Sequence, residues 1–407
     1  MAAYAVTERA GAAMRERALQ LAVAIALSGL LVPPLPLPAQ QFATVDSVVR
    51  QGIRTGLYPG AVVVIGRGDT VLYAHGYGHL TWSASSSVPS PDSTLWDLAS
   101  LTKVVATTST VLRMVDAGTL TLDAPVSRFL PRFSGGEKSG VTIRMLLDHT
   151  SGLPPYVPFY RLARSTDAAI DRLYEQPLVR TPGDSAEYSD LNAMLLGLLI
   201  QQVAGRPLDQ VVTSEVLLPL GLERTMYRPP ATLRKWIAPS GRYRGYAVRG
   251  EVNDQNAARL GGVSGHAGLF STGRDLARFA QTWLRQGLGP GGRWVRAETI
   301  RLFLAPGARS GTRLLGWDSP TLDAPADDPS VFGTLFSHSV YGHTGWTGTE
   351  VWVDPTRDLF LVFLTNRSYD PRTRRSLEKL KIVRARLSDE TIRAVPPRCD
   401  ADHLIRC

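Results

Sequence analysis

Ser100 and Lys103 stand three positions apart in Asp97-Leu98-Ala99-Ser100-Leu101-Thr102-Lys103. They head an apolar run that includes Val104, Val105, Val111, Leu112 and Val115. On a helix, residues i and i+3 share a face, so this spacing sets an amine beside a hydroxyl. The first turn of such a helix adds unpaired N–H groups and the positive end of its dipole, which favour an oxyanion. A serine hydroxyl becomes a useful nucleophile only when a neighbour takes its proton. A lysine in a dry site can do so because desolvation lowers its pKa, and that is the expectation for Lys103. Ser-x-x-Lys is a short pattern, and a second copy, Ser376-Leu377-Glu378-Lys379, sits in a charge-rich segment that reads as a solvated helix face. The first copy therefore needs partners elsewhere in the chain.

Two further stretches supply them. Tyr188-Ser189-Asp190 opens a strongly apolar helix, 191–203, ended by Gly205. His343-Thr344-Gly345 lies in Tyr341-Gly342-His343-Thr344-Gly345-Trp346-Thr347-Gly348, just ahead of two strand-like segments. Taken singly, Tyr188 reads as a packing residue at a helix start and His343 as a strand-edge residue. Asp148, His149 and His266 stand beside turn signals, where polar side chains more often fix a loop than do chemistry.

The elements that must position these residues are legible in outline. Residues 60–67 and 70–76 form two strands around the Gly68-Asp69 turn, and Val62 to Ile65 is too uniformly apolar for a sheet with a wet face. The helix that begins at Ser100 runs to about Asp116-Ala117, where Gly118 stops it. Asp123 reads as a helix N-cap with Pro125 early in that helix. Further helices are expected over 141–150, 208–218, 275–284 (capped by Ser271 or Thr272) and 376–387. Strands at 349–353 and 359–364 join through an Asp-Pro turn. Strands at both ends with helices between them predict an α+β fold, an antiparallel sheet flanked by helices with an inserted, mostly helical subdomain. The expected division is a signal peptide over 1–39, one domain over 40–394 and a tail over 395–407. Within the domain the sheet region covers about 44–118 and 243–394, and the helical subdomain about 119–242.

Of the 407 residues 44% are hydrophobic and 20% charged, as in a globular protein. The net charge of +9 is carried by scattered arginines, with no basic run interleaved with aromatics, so nucleic acid is excluded as a partner. Arg9, Arg15 and Arg17 precede an apolar core over 18–32, a Pro-rich exit and Ala39. That is the pattern of a secretory signal cleaved after Ala39, which makes the mature chain periplasmic or extracellular. Cys399 and Cys407 could close a small loop in an oxidising compartment. Neither is placed to act as a nucleophile or metal ligand.

In order, the motifs Ser100-x-x-Lys103, Tyr188-x-Asp190 and His343-Thr344-Gly345 resemble those of the class C β-lactamase and penicillin-binding serine hydrolase family. Supporting stretches are similar too: Leu146-Leu147-Asp148-His149-Thr150-Ser151-Gly152-Leu153-Pro154, Gly265-His266-Ala267-Gly268-Leu269-Phe270-Ser271-Thr272 and Leu364-Thr365-Asn366-Arg367. The resemblance covers about residues 45–387. Lys138-Ser139-Gly140 matches the third motif literally but precedes Tyr188. The chain has no Gly-x-Ser-x-Gly elbow and no His-Glu-x-x-His pair.

The resemblance implies an acyl-enzyme on Ser100, with Lys103 and Tyr188 acting together as the base. It implies an oxyanion hole of the Ser100 and Trp346 backbone N–H groups, and no cofactor or metal. Asp190, His343, Thr344 and Gly345 would bind substrate. Two departures bear on specificity. His343 replaces the usual Lys, making a cation for a substrate carboxylate absent or pH-dependent. Asp190 replaces Asn, exchanging an amide donor for a carboxylate. Both weigh against efficient β-lactam hydrolysis. The leading expectation is a D,D-peptidase-like or esterase-like hydrolase of small acyl or peptide substrates, such as peptidoglycan stem peptides, with no stable partner. A true β-lactamase and a non-catalytic or slowly acylating binding protein on the same scaffold are the alternatives.

Overall fold

In the computed structural model, residues 38–243, 245–307, 311–320 and 331–396 are described. The expected signal core and the cysteine pair lie outside the described residues. Two units are distinguished, Met1–Gln41 and Phe42–Cys407. The described part of the first is a short helix, Pro38–Gln41. All that follows concerns the second.

Five antiparallel strands form the main sheet. They are β1 (Gly60–Arg67), β2 (Thr70–Gly78), β6 (Tyr341–Thr344), β7 (Glu350–Asp354) and β8 (Leu359–Thr365), in the order β6-β7-β8-β1-β2. The chain's beginning and end thus pair centrally, Ala61 opposite Thr365 and Val63 opposite Phe363. Because side chains alternate across a strand, the uniformly apolar β1 feeds two cores. Val62 and Val64 pack with the apolar residues of the inserted region. Ala61, Val63 and Ile65 pack with α1 (Ala43–Arg54) and the C-terminal helix α5 (Ser376–Ala394). On α1 the buried Val45, Val48 and Val49 recur at helical spacing.

A second, three-stranded sheet holds the nucleophile stretch. It joins β3 (Trp96–Asp97), β4 (Met226–Tyr227) and β5 (Leu269–Ser271) in the order β3-β5-β4. β5 leads into α4 (Gly273–Leu284), where Thr272 is the N-cap and its hydroxyl accepts from the Asp275 N–H. The apolar helix after Tyr188 is α3 (Asp190–Ala204), closed by Gly205 in the left-handed region.

Several elements depart from expectation. Asp123 does not cap a helix. Its carboxylate is held 2.8 Å from Arg144, and a single turn, Val126–Arg128, follows Pro125. The helix after Ser100 is π-helical over Lys103–Thr108 before it becomes α2 (Ser109–Asp116). The widened turn is fixed by Ser109, whose hydroxyl reaches back five residues to the Val104 carbonyl. The segment after Leu208 likewise turns π-helical over Thr213–Leu217. Helix α5 runs past Leu387 to Ala394 because Ile392 and Ala394 continue its buried stripe in the second core. No described helix is long and apolar enough to cross a membrane.

Candidate active site

Ser100 sits on a strained turn between β3 and the π-helical stretch. Ala99 before it has φ +47°, a conformation that costs a non-glycine residue about 1 kcal/mol or more. Four contacts hold it there. Asp97 Oδ1 accepts the Ala99 N–H at 2.9 Å, and Asp97 Oδ2 accepts the Asn253 N–H at 2.6 Å. From the loop after β6, the Thr347 and Thr349 hydroxyls donate to the Asp97 and Leu98 carbonyls at 2.7 and 2.9 Å. Burial pushes the Asp97 carboxyl up to about 6, against the pull of those two N–H groups. Gly345 permits this approach, since a Cβ there would lie 2.1 Å from Thr349 Oγ1 and 2.4 Å from the Leu98 carbonyl. Gly265 does the same behind Lys103, where a Cβ would meet the Ala193 carbonyl at 2.0 Å.

Lys103 is buried, and each of its three N–H groups has an acceptor. These are Ser100 Oγ at 2.9 Å, Asp190 Oδ1 at 2.8 Å and the His266 carbonyl at 3.3 Å. Burial pulls its pKa down, as expected of a dry lysine. The Asp190 carboxylate and the Tyr188 oxygen override that pull and hold it above the ordinary lysine value. The expectation of an unprotonated Lys103 is therefore reversed, because Asp190 keeps it an ammonium.

Tyr188 lies between two cations. Lys103 Nζ is 4.9 Å and the Arg313 guanidinium 5.0 Å from its ring centroid. His149 packs on the ring at 4.8 Å and accepts the Ser189 N–H at Nδ1, 3.1 Å away. The Ser189 hydroxyl donates to the Pro154 carbonyl. Burial first, then the positive charges of Arg313 and Lys103, keep His149 well below the ordinary histidine range. It is a neutral acceptor that fixes the backbone beside Tyr188.

His343 is 5% exposed on β6, with its ring 5.8 Å from that of Tyr188. Burial, with Lys103 and Arg313 nearby, pushes its pKa down to about 3. Of the two outcomes expected here, a cation absent or one that depends on pH, burial favours the first: His343 is neutral throughout the physiological range. The cation on this side is Arg313, 3.5 Å from Asp318. Sequence reasoning missed it because a lone arginine in a loop carries no local signal. A depressed histidine stabilises the fold above its unfolded pKa near 6.5, and that contribution is lost as pH falls towards 3. His343→Gln is therefore expected to lose about 2 kcal/mol less stability than the wild type between pH 7 and 4.5. Denaturant melts at both pH values measure this, and equal acid losses in the two proteins would refute it.

Two cavities meet at Ser100 and Trp346. The larger, about 590 Å³, is lined by Tyr156, Tyr160, Asp190, Asp254 and His266 among others. The smaller, about 310 Å³, is lined by Tyr188, Arg313, His343, Thr344 and Gly345. Between them the backbone N–H groups of Ser100 and Trp346 have no acceptor among the described residues. The Trp346 carbonyl is tied back by Arg367 Nε at 3.0 Å. All residues singled out for the site thus converge, whereas the decoys do not. Lys138 binds the Tyr174 carbonyl at 2.7 Å, and Lys379 the Thr373 hydroxyl at 2.8 Å. Among the described residues no cluster of His, Cys, Asp or Glu could hold a metal ion. Asp254 was also missed. It is the N-cap of the short helix Gln255–Arg259, its side chain accepting the Ala257 N–H.

Comparison with known proteins agrees with this geometry. The sequence pattern of the Beta-lactamase family matches residues 45–385. An N-acetylmuramyl-L-alanine amidase of Bacillus subtilis (strain 168) is 33% identical over 385 residues, covering 84% of this chain and 86% of its own. A protein of Escherichia coli (strain K12), provisionally named a D-alanyl-D-alanine carboxypeptidase, is 31% identical over 360 residues, covering 80% and 82%. A solved class C beta-lactamase superposes with a TM-score of 0.70 over 86% of this chain and 96% of its own, at 19% identity.

Proposed function

The chain belongs to the beta-lactamase family of serine hydrolases, and from that premise we propose that it cleaves amide or ester bonds of small acyl or peptide substrates through an acyl-enzyme on Ser100. Ser100 Oγ attacks the carbonyl carbon, and Tyr188, acting as a phenolate beside the Lys103 ammonium, accepts the hydroxyl proton. The carbonyl oxygen takes up the negative charge against the Ser100 and Trp346 N–H groups. Collapse breaks the bond to the leaving nitrogen or oxygen, which takes the proton from Tyr188. Water then attacks the ester, giving its proton to Tyr188, and Ser100 recovers its own. Lys103, held as an ammonium by Asp190, supplies positive charge to this relay and does not itself take the proton. The observation that carries the reading is the Ser100–Lys103 contact of 2.9 Å beneath Tyr188, at the meeting point of two cavities.

Asp190 and the neutral His343 weigh against an efficient β-lactamase. The names of the two relatives, an amidase and a carboxypeptidase, support an amide-bond substrate such as a peptidoglycan-derived peptide. An exported protein would meet such substrates, and the basic, then apolar, N-terminus supports export with cleavage after Ala39. The domain division proposed is the one expected from sequence, with residues 40–394 forming the hydrolase. The test is to follow intact mass and product release with a penicillin and with a D-alanyl ester. Ester turnover, with penicillin giving a slow adduct or none, is the expected result. Penicillin hydrolysis as fast as ester hydrolysis would replace the reading with a β-lactamase. Turnover of neither would indicate a binding protein.

A further inference from the structure

Two carboxylates, Asp254 and Asp190, line the larger cavity, each with one oxygen already engaged. Asp254 uses Oδ1 twice, accepting the Ala257 N–H at 2.8 Å and contacting His266 Nε2 at 2.9 Å. Among the described residues no donor reaches its Oδ2, and its side chain is 27% exposed towards the cavity it lines. Asp190 likewise commits Oδ1 to Lys103, with no donor on Oδ2 among the described residues. No lysine or arginine lines this cavity among the described residues, and Lys103 has no N–H left for a substrate. Burial pushes the Asp254 carboxyl up, but His266 and the Ala257 N–H hold it below the usual carboxylate range, so it is ionised. Tyr156, half exposed, and Tyr160 turn aromatic surface to the same space.

We propose that this cavity receives an acyl group bearing a protonated amine, the ammonium donating to the free oxygens of Asp254 and Asp190 against the Tyr156 face. The chain is then a hydrolase of aminoacyl amides or esters, a substrate class that rests on the Ser100 acyl-enzyme reading above. An ammonium matches this wall better than a hydroxyl does. It brings three donors and a positive charge to two carboxylates, and it gains from aromatic faces. An N-acylated substrate, which has lost that charge, leaves the carboxylate oxygens unpaired on desolvation.

The test compares methyl esters of D-alanine, N-acetyl-D-alanine and D-lactic acid, followed by acid release. The wild type is expected to prefer the D-alanine ester by about 50-fold or more in kcat/KM, mostly through KM. Asp254→Asn is expected to bring that preference within about fivefold of unity. The readout is a ratio between substrates on one protein sample, so any loss of folded Asp254→Asn cancels. A wild-type preference below about threefold, a preference for either neutral ester, or an unchanged ratio in Asp254→Asn overturns the inference while leaving the serine hydrolase standing. Hydrolysis of none of the esters overturns the Ser100 reading and the inference with it.

Discussion

Ser100→Ala is expected to lose turnover by roughly 10⁴- to 10⁶-fold while melting within about 1 kcal/mol of the wild type. The hydroxyl makes one contact, to Lys103 Nζ, and its removal opens no core cavity because Ser100 sits at the mouth of two cavities. Lys103 keeps Asp190 and the His266 carbonyl, so its charge stays paired. The strained Ala99 turn is held by Asp97, Thr347 and Thr349, and none of these needs the serine side chain. Residual activity would come from the two N–H groups and substrate positioning alone. Steady-state rates with a small ester measure the loss, and a thermal melt shows that the fold is kept. Activity retained within about tenfold of wild type would remove Ser100 as the nucleophile.

Much of this arrangement was legible in the chain. The fold class came from strands at the two ends and apolar periodicity between them, and β1 announced its two buried faces by lacking alternation. The three motifs place Ser100, Tyr188 and His343 because each lies at or just before a turn or helix start whose glycine, proline or cap residue is visible locally. What was not legible depends on contacts between distant segments. The charge of Lys103 is decided by Asp190, on another helix, and reverses what burial alone implies. The neutrality of His343 follows from burial and from two cations outside its strand. Arg313 and Asp254 carry no pattern of their own and gain meaning only from the cavities they line. The π-helical turn at Lys103 was missed because it depends on one hydroxyl, Ser109, in a run that otherwise reads as α-helix.

Behind the site, Arg384→Met is expected to destabilise the protein by about 3–5 kcal/mol. Arg384 on α5 is 3% exposed and lies 2.6 Å from Glu350 Oε2 on β7, whose side chain is fully buried. Burial pushes the Glu350 carboxyl up to about 7 even though Arg384 and the Trp352 N–H pull it down. Without the guanidinium, that carboxylate must stay charged and unpaired in the core or take up a proton. The sign with pH follows. A carboxyl whose folded pKa is raised stabilises the fold below its unfolded pKa, near 4.5, and loses that contribution as pH rises through about 7. The variant, with Glu350 raised further, is expected to fall about 1 kcal/mol further behind the wild type at pH 8 than at pH 5. Arg384 also donates to the Thr349 carbonyl at 2.8 Å and reaches the Gly345 carbonyl at 3.3 Å, so it tethers the loop that carries the Trp346 N–H. A double replacement, Arg384→Met with Glu350→Leu, is expected to recover most of the stability but not the activity. The buried charge is gone, yet the loop has lost its tether. Denaturant melts at pH 5 and 8, with ester kinetics on both variants, separate the two roles. Equal stability of Arg384→Met and wild type at pH 8 would show that the pair does not hold the fold. Full activity of the double variant would show that the tether does not position the oxyanion site.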